Sequence, residues 1–185
     1  LVVILHGWGA NAQDVASLVS VLNLPNHQFL LPNAPFAHPH VPGGKMWYDL
    51  EREDYRGLEQ SQQMLTHWFK SLESTTGIPP ESTILTGFSQ GAAMTLDIGL
   101  NLPVAGLVCM SGYLHRTPQE VNPPLPSVLI VHGRQDTVVP LSAAQRVRDY
   151  LLSLGVPMQY KEFEMGHEIR LEVLDVIREF ILVNT

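Results

Sequence analysis

Apolar positions in this chain fall into two kinds of run. The first kind is short and nearly unbroken: Leu1–Leu5, Gln28–Leu31, Thr83–Thr86, Val104–Met110 and Val128–Val131, with the more polar Met158–Phe163 reading as a last strand. Runs of this length, rich in β-branched residues, read as strands, and those apolar throughout read as strands covered on both faces. The second kind returns every three or four positions. Val15, Leu18, Val19 and Leu22 follow that spacing, as do Leu58, Leu65, Trp68, Phe69 and Leu72. So do Ala144, Val147, Leu151 and Leu154, then Val173, Leu174, Ile177, Phe180 and Ile181. That spacing is one face of a helix. Ala92 to Leu100 reads as a helix from its small-residue start. Gly77, with Pro79 and Pro80 behind it, and Gly155 are stop signals. Strand and helix alternate, with crossovers of helix length. The pattern predicts an α/β fold with a mostly parallel six-stranded sheet and helices on both faces. In open sheets of this kind, sites lie outside the carboxyl ends of the strands.

Two segments break the rhythm. Residues 32–49 hold four prolines and two glycines and end in Met46-Trp47-Tyr48-Asp49. Long irregular segments in compact domains are usually functional or disordered, and aromatics at the end of this one predict an ordered wall. Ser111 to Pro126 is a second Pro-containing loop. Neither has the size of a cap domain, and no large insertion separates the strands on either side of Asp136. No internal repeat, low-complexity tract or domain boundary is visible, so residues 1–185 read as a single catalytic domain.

Bulk properties narrow the partners. With 185 residues, the chain should bury roughly 70% of its unfolded surface and needs no staples. A net charge of −7 without a Lys/Arg cluster argues against nucleic acid and against anionic membrane surfaces. The single cysteine, Cys109, excludes an intrachain disulfide and a zinc cluster and fits a reducing, cytoplasmic setting. No apolar run reaches the roughly 18 residues of a transmembrane helix, so no integral membrane association is expected. The chain opens at Leu1 without methionine, in mid-strand style. Leading strands or a targeting segment could precede it. A homodimer is left open.

The chemistry centres on Gly87-Phe88-Ser89-Gln90-Gly91, between an apolar run and a small-residue helical run. Gly-x-Ser-x-Gly at a strand-to-helix junction forms a sharp elbow that lifts the serine hydroxyl clear of the sheet. Chance supplies the three fixed positions in roughly one chain of this length in fifteen. The motif therefore needs partners. A serine hydroxyl is a poor nucleophile without a base, and the base needs an acid to hold its tautomer. Of eight histidines, His167 stands directly after the last strand, beside Gly166. His67 reads as solvated, His27 as lying at the wrong end of the sheet, and His115 as rim. His6 and His132 read as turn-stabilising. His38 and His40, two apart, lack the carboxylates or cysteines of a metal site, so no metal is expected. Asp136 follows the strand before the last and can approach His167 from a neighbouring loop; a turn-forming or helix-capping role competes. Ser89, Asp136 and His167 follow the chain order of α/β-hydrolases. The backbone N–H of Gln90 and that of Trp8, in the loop after the first strand, are the expected oxyanion donors. Phe36, Trp47, Tyr48 and Tyr113 (or Leu114) are the expected pocket walls.

Taken in order, Leu5-His6-Gly7-Trp8-Gly9, Pro32-Asn33-Ala34-Pro35, Trp47-Tyr48-Asp49, the elbow, His132-Gly133 with Asp136 and Val139-Pro140, and Gly166-His167 span nearly the whole chain. Together they resemble the phospholipase/carboxylesterase family of α/β-hydrolases, which includes bacterial carboxylesterases and acyl-protein thioesterases. The resemblance implies a serine esterase acting without cofactor on small or single-chain esters or thioesters. It puts Ser89, Asp136 and His167 on the family's triad positions and Trp8 and Gln90 on its oxyanion positions. It also implies that the chain starts at the family's third strand. Ala37 to Met46 departs from the acyl-protein thioesterase pattern. Rival readings are a thioesterase or lysophospholipase, a peptidase on the same fold, and a non-enzymatic ligand-binding protein.

Overall fold

The opening apolar run forms strand β1 (Val2–Leu5), and the strand before the elbow, β5 (Ile84–Phe88), lies parallel beside it. The computed structural model describes residues 1–115, 121 and 124–185. Between these strands come α1 (Ala12–Leu22), β2 (Phe29–Leu30), β3 (Phe36–Ala37), β4 (Lys45–Met46) and α2 (Leu58–Thr76). After β5 follow α3 (Gln90–Gly99), β6 (Gly106–Met110), β7 (Ser127–Gly133), α4 (Leu141–Ser153), β8 (Met158–Phe163) and α5 (Leu171–Asn184). The main sheet has six strands in the order β2-β1-β5-β6-β7-β8, and every pairing is parallel.

Alternation along the strands divides the core in two. Val3, Leu5, Leu85, Leu107, Cys109 and Ile130 point to one face and pack against the apolar stripes of α2, α3 and α4. Val2, Ile4, Ile84, Val108, Leu129 and Val131 point to the other and meet α1 and α5. A strand buried on both faces must be apolar at consecutive positions, and the unbroken runs reflect that requirement. Helix α1 starts at a reciprocal cap. The Asn11 side chain accepts from the Gln13 N–H at 2.8 Å, and Asp14 accepts from the Asn11 N–H at 2.9 Å.

The strand order places the site. From β1 the chain moves outward to β2, then returns to the other side of β1 to form β5. The connections leaving β1 and β5 therefore part, α1 going to one face and α3 to the other, and a crevice opens between their carboxyl ends. The register Leu5↔Gly87 brings those two ends level.

Three details differ from the sequence-based expectation. The second strand is only two residues long. The 32–49 segment contains an antiparallel hairpin, β3 with β4, pairing Phe36 with Met46 and Ala37 with Lys45. Two-residue strands carry too few positions to display a period. The expected loop from Ser111 to Pro126 lies in part outside the described residues. Between β7 and β8, α4 is the one intervening helix or strand, so no cap covers the strand ends there. Among the described residues, no helix is long and apolar enough to cross a membrane.

Candidate active site

Ser89 sits between β5 and α3 with φ 55° and ψ −117°, a conformation that non-glycine residues rarely adopt. The elbow glycines explain how the turn closes. A Cβ on Gly87 would stand 2.3 Å from the Gly91 backbone, and one on Gly91 would stand 2.3 Å from the Leu5 carbonyl oxygen. The turn thus packs on itself and on the end of β1, leaving room for hydrogen alone.

His167 Nε2 lies 3.0 Å from Ser89 Oγ, and its Nδ1 lies 2.7 Å from Asp136 Oδ2. The three side chains come from the loops after β5, β7 and β8. Gly133 lets the last two loops meet, since a Cβ there would fall 2.3 Å from the Met165 carbonyl oxygen. The Gln135 N–H donates to that same oxygen at 3.0 Å. The Asp136 side chain is fully buried. Its Oδ1 accepts from the Val138 N–H at 2.9 Å and the Val139 N–H at 2.8 Å. Burial pushes the Asp136 carboxyl up, but the hydrogen bonds from His167, Val139 and Val138 outweigh it, and the group titrates below the usual carboxylate range. With Asp136 ionised and accepting, His167 carries its proton on Nδ1 and turns a lone pair on Nε2 toward the serine. The Phe88 ring rests against the imidazole, with centroids 4.8 Å apart.

Two further histidines hold the loops. His132 donates from Nε2 to the Val139 carbonyl at 2.8 Å, closing the turn that carries Asp136. His6 donates from Nδ1 to the Gly7 carbonyl at 2.8 Å and accepts the Ala34 N–H on Nε2 at 3.0 Å. Burial lowers its pKa, which keeps the ring neutral and able to accept.

The loop after β1 faces the elbow, and a Cβ on Gly7 would stand 3.5 Å from Ser89 Cβ. Trp8 follows Gly7. Gln90 opens α3, so its N–H belongs to the first-turn donors that have no partner within the helix. The hairpin braces the opposite side of this loop. The Gly9 N–H donates to the Lys45 carbonyl at 2.9 Å, and the Lys45 N–H donates to the Ala10 carbonyl at 2.8 Å. The Trp8 ring meets His38 edge-on at 4.1 Å.

The predicted walls divide. Phe36 is partly exposed and packs over Gly57, while Trp47 is 1% and Tyr48 0% exposed. Trp47 and Tyr48 therefore pack as core residues, and Trp47 forms the floor of a depression walled by Pro32, Pro35, Met64, Leu65 and Trp68. The Trp47 indole donates to the His6 carbonyl at 2.9 Å. The Tyr48 hydroxyl meets that of Tyr113 at 2.5 Å and also His115 Nε2. Burial pushes the Tyr113 hydroxyl up to about 12. His115 is not a rim residue: its side chain is 1% exposed, and Nδ1 stands 2.7 Å from Asp97. Sequence reasoning also missed the Gln90 side chain. Its Oε1 accepts from the Trp47 N–H at 2.9 Å and its Nε2 donates to the Tyr48 carbonyl at 2.8 Å, tying the elbow to the wall behind it. A glutamine beside an elbow serine carries no periodicity, so only its type could have drawn attention.

The parallel sheet, the elbow and the site at the strand ends are those of an α/β-hydrolase. Within that class the chain belongs to the phospholipase/carboxylesterase family, whose pattern, described as Phospholipase/Carboxylesterase, matches residues 1–185. It is 32% identical to acyl-protein thioesterase 1 of Neurospora crassa, covering 97% of this chain and 84% of that one. It is 27% identical to acyl-protein thioesterase 1 of Saccharomyces cerevisiae over 97% of this chain and 90% of that one. The crystal structure of esterase PE8 superposes with a TM-score of 0.90 at 32% identity, covering 100% of this chain and 92% of that one.

Proposed function

We propose that this protein is a serine carboxylesterase that hydrolyses small or single-chain carboxylic esters without a cofactor. The observation that carries the reading is His167, within hydrogen-bonding reach of Ser89 on one nitrogen and Asp136 on the other. In the proposed cycle the Ser89 oxygen attacks the ester carbonyl carbon while its proton passes to His167 Nε2. Asp136 stabilises the imidazolium that results. The carbonyl oxygen, now negative, accepts from the Trp8 and Gln90 N–H groups, and the N-terminus of α3 favours the charge. The carbon–oxygen bond then breaks, and the alcohol leaves with the proton from His167. Water, activated by the same imidazole, releases the acid and restores Ser89. A lone buried thiol, Cys109, suits a reducing compartment such as the cytoplasm.

Ser89→Ala should abolish hydrolysis of para-nitrophenyl esters and labelling by a serine-reactive phosphonate. Labelling that survives the substitution would remove Ser89 from the mechanism. A second reading, an acyl-protein thioesterase, draws on relatives that carry that name, among them one at 32% identity. A panel of acyl esters of rising chain length beside matched thioesters separates the two. Higher kcat/KM on long-chain thioesters supports the second reading, and higher kcat/KM on short esters supports the first.

A further inference from the structure

A depression of about 270 Å³ opens on the α1 side of His167. Its walls are His167 itself, Ala10, Val15, Leu18, Phe88 and Ile169. Gly7 also lines it, and a Cβ there would stand 3.5 Å from Ser89 Cβ. Leu18, Phe88 and Ile169 are only partly buried, so apolar surface is available to a ligand. Two carboxylates flank it. Asp14 is held by the Asn11 N–H at 2.9 Å, and Glu168 pairs with Arg170 at 2.7 Å.

We propose that this depression seats the alcohol portion of the ester and selects uncharged, apolar alcohols of about one ring in size. The inference rests on the roles proposed above for Ser89 and His167. When the tetrahedral intermediate collapses, the carbon–oxygen bond breaks and its electron pair goes to the alcohol oxygen. That oxygen takes the proton held on His167 Nε2. The leaving oxygen must therefore lie against this imidazole, and the group it carries extends over whatever surface adjoins the ring. Here that surface is aliphatic and aromatic. The volume falls just below the roughly 300 Å³ at which pockets for drug-sized ligands begin, which suits a ring or a short branch. A phosphate-bearing alcohol would bring negative charge toward Asp14, where like charges repel, whereas Glu168 is offset by Arg170.

The test holds the acyl group constant as acetate and varies the alcohol: ethanol, isobutanol, cyclohexylmethanol, benzyl alcohol and glycerol 3-phosphate. All acetates give the same acyl-enzyme, so differences in kcat/KM report the leaving group. The expected result is a rise of about tenfold or more from ethyl to benzyl acetate, with the phosphate-bearing ester below ethyl acetate. Leu18→Gln and, separately, Ile169→Gln should each lower the benzyl-to-ethyl ratio at least threefold, while Leu18→Met should keep it. A flat series while Ser89→Ala is inactive would overturn the alcohol subsite and leave the esterase reading standing. A rising series that neither polar variant changes would place the subsite elsewhere. Full turnover by Ser89→Ala would overturn both readings together.

Discussion

Asp136 shows how much chemistry one side chain can concentrate. Three hydrogen bonds meet on its buried carboxylate, and together they outweigh the burial that pushes its pKa up. Asp136→Asn preserves the shape but exchanges the acceptor facing His167 for an amide or a weaker carbonyl, which favours the wrong imidazole tautomer. Turnover should fall by about 10³ to 10⁴ while the circular dichroism spectrum is unchanged. The carboxyl also makes a pH-dependent contribution to stability. Its folded pKa is lowered, so that contribution is complete above the unfolded value of about 4 and is lost as pH falls through the lower folded value. The gap in Tm between the wild type and Asp136→Asn should therefore be widest near neutral pH and shrink below about pH 4. Thermal melts at a series of pH values check this, and a gap that widens in acid would contradict the assigned sign. The residue types at Ser89, Asp136 and His167 could be read from the sequence because each follows a strand and each loop carries a glycine or turn signal. Trp47 and Tyr48 could not be placed that way. A large aromatic in a loop serves equally as a cleft wall or a core anchor, and only its neighbours decide.

Short elements hold the loops that the chemistry needs. The Gln90 side chain is 0% exposed and satisfies two buried backbone groups across the crevice, the Trp47 N–H and the Tyr48 carbonyl. Gln90→Leu orphans both, at about 1 to 3 kcal/mol each. Urea unfolding should show a loss of that order, with kcat reduced because the elbow and its wall are no longer tied. The hairpin of β3 and β4 works from the other side, through Lys45, on the loop after β1. Lys45→Pro removes the N–H that reaches the Ala10 carbonyl. It should lower kcat about tenfold with a smaller change in KM, since the oxyanion donor proposed at Trp8 would matter most once the oxyanion forms. Steady-state kinetics separate the two parameters. An equal rise in KM alone would point to the substrate wall instead. The longer elements were legible because burial imposes a period on them. The hairpin was not, because it is two pairs long and is held by contacts with a loop far away in the chain.

Across the molecule, the sheet sets both stability and the position of the crevice. Strands β1, β5, β6 and β7 are buried almost throughout, whereas β2 is short and half-exposed at one edge and β8 half-exposed at the other. Native-state hydrogen exchange should be slowest in β1, β5, β6 and β7, with β2 and the ends of β8 opening at lower free energy. Protection of β2 equal to that of β5 would show that the edge is covered by another chain. Burial on both faces requires unbroken apolar runs, so the six strands of the main sheet, their parallel packing and the alternation with helices followed from the sequence alone, whereas the two strands of the hairpin did not. The elbow followed as well, because backbone collisions there admit only glycine at Gly87 and Gly91. The order β2-β1-β5 did not follow, and neither did the reach of Lys45 to Gly9 or the burial of His115 beside Asp97. Those depend on which surfaces meet after the chain returns on itself, and contacts between distant residues leave no local period in the sequence.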